Sequence, residues 1–120
     1  MHTAHMFRTV KAKNILQKIG VDPALKGFYY IIDAIREINS ELNKNNIHYR
    51  TTDIYKTVAE LNNSNESRVE RNIRQAIEKT HALNNTAYKN LFKPFIEHGE
   101  KPNNSTFLSV ITHYLIDVEE

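Results

Sequence analysis

The sequence predicts an all-α fold, a compact helical domain of about six helices. Two observations carry this expectation. Glycine and proline are scarce, with three of each in 120 residues, and Gly20, Pro23, Gly27, Pro94, Gly99 and Pro102 cluster between long stretches of helical spacing. Within those stretches apolar residues recur at three- and four-residue steps, which is the period of a helix face and leaves few places for strands.

The first helix is expected over residues 8–19, burying Ile15, Leu16 and Ile19 and closing at Gly20, which can take the left-handed conformation of a helix end. A second, over 25–43, places Phe28, Ile31, Ile32, Ile35, Ile38 and Leu42 on one broad apolar face. Asparagine side chains compete for backbone hydrogen bonds, so the Asn-rich stretch 43–46 breaks the pattern into a loop. A short third helix is expected over 52–61, capped by Thr51 or Thr52, with Ile54, Tyr55, Val58 and Leu61 inward. After the polar turn 62–65, whose Ser64 or Asn65 can cap the next helix, a fourth helix spans 66–83. Helices over 86–96 and 105–118, joined by a polar loop, complete the chain.

The length suits one domain with a single core, residues 1–7 forming a flexible arm. Hydrophobic residues make up 40% and charged residues 25%, the balance of a globular protein. Sixteen Lys and Arg against 14 Asp and Glu give a net charge of +2, so any polyanion site depends on how charge is placed. The absence of cysteine excludes disulfides, thiolate zinc sites and a cysteine nucleophile, and suits a reducing cytoplasm. Neither a signal peptide nor a membrane-spanning apolar run is visible, so no membrane partner is expected.

A short helix and a longer one joined by a polar turn have the outline of a helix-turn-helix. In the longer one Val69, Ile73, Ala76, Ile77 and Thr80 share a face when each residue advances about 100°. Arg68, Arg71 and Gln75 point away from it, and Glu70 and Arg74 flank it. These residue types match base edges: Arg donates twice to guanine O6 and N7, Gln pairs with adenine, and Glu accepts from cytosine N4. The same pattern also describes a solvated face held by weak i, i+4 ion pairs.

The string Ser67-Arg68-Val69-Glu70-Arg71-Asn72-Ile73-Arg74-Gln75-Ala76-Ile77-Glu78 resembles the recognition helix of one family. That family is the DNA-binding effector domain of the master sporulation response regulator of endospore-forming bacteria. Residues 19–30, Ile-Gly-Val-Asp-Pro-Ala-Leu-Lys-Gly-Phe-Tyr-Tyr, resemble its first inter-helix turn and second helix. Residues 101–107, Lys-Pro-Asn-Asn-Ser-Thr-Phe, resemble the loop opening its last helix. The resemblance implies a six-helix domain that binds short promoter boxes in double-stranded DNA, as a homodimer or in tandem copies, and regulates transcription in contact with RNA polymerase. It implies no catalysis and no cofactor.

Carried over by position, Ser67, Arg68, Glu70, Arg71, Arg74, Gln75 and Lys101 form the DNA-binding set. Arg68 and Glu70 read bases, Arg71 and Arg74 add base or phosphate contacts, and Lys101 holds the backbone. Gln75 stands where the family often has His. The turn after Leu61 places the last apolar residue of the third helix slightly early. The chain has no room for the phosphorylated receiver domain of the family's response regulators.

Other candidates have plainer readings. His2 and His5 suit a disordered end better than a metal site, and His48, His81, His98 and His113 lack zinc spacing. No metal is assigned. The tyrosines suit core packing rather than base stacking, and Lys11, Lys13 and Lys18 suit a solvent face rather than phosphate contacts. No phosphate-binding glycine loop, nucleophile elbow or paired acid/base motif supports an enzyme. The rival reading is a protein-interaction module of the same fold, using an apolar surface around Phe107, Leu108, Ile111 and Leu115 of the last helix.

Overall fold

A computed structural model describes residues 5–118. Six α-helices succeed one another along the chain: α1 (Thr9–Lys18), α2 (Lys26–Asn43), α3 (Thr51–Leu61), α4 (Glu66–Leu83), α5 (Thr86–Phe92) and α6 (Asn104–Val118). No strand occurs among the described residues.

The apolar face of α2 makes it the central helix, packed against α1, α3, α4 and α6. Phe28, Ile31, Ile32, Ile35 and Ile38 are buried as their spacing demands, and Leu42 packs at the edge. Burying one such side chain stabilises the fold by about 1.5–3 kcal/mol. A second core element is aromatic. Tyr88 and Phe92 of α5 meet with ring centroids 5.0 Å apart, and Phe92 stacks on Phe107 of α6 at 5.0 Å, fastening the last third of the chain.

The helix ends reflect local chemistry. Gly20 takes φ +96° just past α1, as expected. Asn45 and Asn84 take the left-handed conformation after α2 and α4, a position that asparagine tolerates better than most residues.

Four expectations need correction. Neither Thr51 nor Thr52 caps α3: Arg50 holds the cap position without a side-chain bond, and Thr51 Oγ1 instead donates to Ser105 Oγ at 3.1 Å. Leu61 is 60% exposed, because α3 ends there and Ala59, one step off the expected stripe, turns inward. The fifth helix stops at Phe92 rather than running to Ile96, since Pro94 has no N–H to donate, and residues Lys93–Phe95 tighten into a 3-10 turn. The expected apolar surface on α6 is core: Phe107, Leu108 and Ile111 are fully buried and Leu115 is partly so, leaving no such patch for a partner.

His2 and the first four residues of the expected flexible arm lie outside the described residues. His5 is tied to α2, its N–H donating to Asn43 Oδ1 at 2.9 Å and its carbonyl accepting from Asn39 and Asn43 at 2.8 and 2.9 Å. Arg36 then stacks over Phe7, 5.0 Å from the ring centre. No helix among the described residues is long and apolar enough to cross a membrane.

Candidate nucleic-acid interface

Helices α3 and α4 pack against each other across the turn 62–65. The turn is built from asparagines. Asn62 and Ser64 donate their N–H groups to the Ala59 carbonyl at 3.2 and 2.9 Å, and Asn63 between them takes φ +49°. Asn62 Nδ2 also donates to the Val58 carbonyl and to Asp33 of α2, pinning the turn to the core helix. Asn65 then caps α4, its Oδ1 accepting from the Arg68 N–H at 3.0 Å, which selects it over Ser64.

The buried residues of α4 are Val69, Ile73, Ala76, Ile77 and Thr80, the set its periodicity marks out. Thr80 satisfies its buried hydroxyl by donating to the Ala76 carbonyl at 2.9 Å. With that face fixed, Ser67, Arg68, Arg71 and Gln75 are exposed and Glu70 and Arg74 stand half-exposed beside them. Ser67, Glu70, Arg71 and Arg74 share a shallow concavity with Thr52 and Tyr55 of α3 and with Glu66. Gln75 faces a second concavity against the start of α2.

One edge of the exposed face is an ion-pair chain. Arg74 Nε donates to Glu70 Oε1 at 3.0 Å, Arg74 Nη1 reaches Glu78 Oε1 at 3.4 Å, and Lys101 Nζ lies 3.5 Å from the same Glu78 oxygen. Lys101, distant in sequence, is thereby joined to the α4 face. The hydrogen bond and charge of Glu70 raise the Arg74 pKa further, so this guanidinium is a permanent cation.

Asn104, absent from the expected set, organises this edge. From the start of α6 its Nδ2 donates to the Tyr55 hydroxyl at 3.0 Å and to the Glu70 carbonyl at 3.2 Å, linking α3, α4 and α6 at one point. Burial pushes the Tyr55 phenol up; the Asn104 hydrogen bond opposes the rise and the Glu70 carboxylate adds to it. Asn104 lies inside one of the three blocks of resemblance, but its reach to two other helices has no periodic signal in the sequence. Histidines play smaller parts: His81 Nδ1 pairs with the Tyr88 hydroxyl at 2.8 Å, and no group of three or more metal-ligating side chains occurs among the described residues.

A family model described as the C-terminal domain of sporulation initiation factor Spo0A matches residues 12–115. The chain belongs to that family. The family is the DNA-binding part of Spo0A, a sporulation regulator, and not a catalytic family. The matched span holds all six helices except the first turn of α1 and the last residues of α6.

Proposed function

We propose that this Spo0A-type domain, as a single helix-turn-helix unit, reads a short promoter box by laying α4 in the major groove of double-stranded DNA. The observation that carries the reading is the division of α4: one face is wholly core, and the opposite face presents Arg68, Glu70, Arg71, Arg74 and Gln75 within reach of one surface. The N-terminal residues of such a helix reach base edges. Arg68 pairs with guanine and Glu70 accepts from cytosine, so the box contains G·C pairs near its centre. Ser67 and Arg71 border the same contact, Gln75 sets the preference one turn further along, and Lys101 holds phosphate. Tandem occupation of neighbouring boxes and contact with RNA polymerase are inferred from family membership, as is action on the chromosome in the cytoplasm.

The test is selection of bound duplexes from a random DNA pool, then binding of the winner and a scrambled duplex over a range of salt. Enrichment of one short G·C-containing box supports the reading. Equal, weak binding to both duplexes with no enrichment overturns it.

A further inference from the structure

The two flanks of α4 carry different charge. On the α6 flank Glu70, Arg74, Glu78 and Lys101 alternate in sign and neutralise one another through the ion-pair chain. On the α2 flank, a concavity is lined by Lys26, Gly27, Asn72, Gln75, Glu78 and Lys79. Glu78 is already engaged by Arg74 and Lys101. Lys26 and Lys79 are exposed, and among the described residues neither makes an ion pair.

The approach of the two helices that carry these lysines is set by backbone packing. A Cβ on Gly27 would stand 2.3 Å from the Asn72 carbonyl oxygen, so only glycine lets the first turn of α2 lie this close to α4. Lys26 is therefore held beside the α4 row that carries Gln75 and Lys79. The major groove is about 12 Å wide, and a helix with its side chains fills about 10–12 Å, so a helix seated there meets one phosphate strand on each flank. Lys101, which would exchange its Glu78 partner for phosphate, is the residue proposed above for the α6 flank.

We propose that Lys26 and Lys79 clamp the phosphate strand on the α2 flank, opposite Lys101. The inference rests on the proposed DNA reading and extends it to residues with no role in base recognition. Such a clamp adds affinity without sequence information, because phosphates are alike at every position.

The experiment compares the parent protein with Lys26→Ala, Lys79→Ala and the double variant Lys26→Gln/Lys79→Gln on the selected and scrambled duplexes across a salt series. Each alanine variant should weaken both duplexes by the same factor, about three- to tenfold, and lower the salt slope by about one. Phosphate ethylations that block the parent on one strand should cease to matter in the double variant, whose thermal melt should match the parent's. Unchanged slopes in both alanine variants, with a lowered slope for Lys101→Ala, overturn the clamp and leave the DNA reading standing. Failure of the parent protein to select any box overturns the DNA reading and the clamp with it.

Discussion

Arg74 Nε donates to Glu70 Oε1 at 3.0 Å, so the carboxylate proposed to read cytosine is oriented before any DNA arrives. Exposed i, i+4 pairs add little to stability, so Arg74→Ala should leave the thermal melt nearly unchanged. Discrimination at the base pair facing Glu70 should fall, and Arg74→Lys should restore it only in part because a single ammonium lacks the guanidinium fork. Competition binding with that base pair changed reads the effect. Full discrimination in Arg74→Ala would show that Glu70 needs no such partner.

Arg68 and Lys101 separate base reading from backbone contact. Arg68→Ala should cost about 1–3 kcal/mol on the selected box and relax preference at one base pair. Lys101→Ala should weaken specific and scrambled duplexes alike. Equal losses on both duplexes for both variants would sink this division of roles.

Asn104→Ala removes two hydrogen bonds at a junction of three helices. The Tyr55 hydroxyl loses its Asn104 donor and the Glu70 carbonyl loses a side-chain donor. A loss of about 1–3 kcal/mol in urea denaturation is expected, with weaker DNA binding because α6 no longer steadies α4. Tyr55→Phe, which keeps the ring packing, should cost less.

Gly27→Ala tests the close approach of α2 and α4. The new Cβ would meet the Asn72 carbonyl oxygen at 2.3 Å and the Ala76 Cβ at 2.9 Å. Neither neighbour is a flexible side-chain end, so overpacking should destabilise the fold by about 1–3 kcal/mol even though alanine favours helices elsewhere. A denaturation midpoint equal to the parent's would mean that the helices can part at little cost.

Stability should fall at alkaline pH. Burial pushes the Tyr88 phenol up from 10.0 to about 12. The folded protein thus keeps a proton that the unfolded chain loses, so this contribution is whole below pH 10.0 and is lost as pH rises through about 12. Burial also raises Tyr49, against the opposing hydrogen bond with Ser109, and this adds to the trend. Tyr88→Phe should flatten the decline across that window in denaturation curves. A decline identical to the parent's would place the titrating group elsewhere.

Local periodicity in the sequence was enough to dictate the six helices, the inward face of α2 and the division of α4, because each depends on residues a few positions apart. Gly20 was legible as a helix boundary and the cap of α4 was narrowed to Ser64 or Asn65, since left-handed turns and N-caps are chosen by the residue that occupies them. The cap of α3 failed because its competing interaction lay outside the local window, Thr51 turning to Ser105 instead of capping its own helix, whereas the early end of α5 follows from the local Pro94. The inward turn of Ala59 and the full burial of Phe107, Leu108 and Ile111 of α6 were likewise decided by which neighbours each helix met. The candidate site divides in the same way. Its exposed residues on α4 were legible because they oppose a core stripe. The ties from Lys101 to Glu78, from Asn104 to Tyr55 and Glu70, and from Gly27 to Asn72 join residues far apart in the chain. Helix packing sets such distances, because they depend on where whole helices lie rather than on the chain's local preferences.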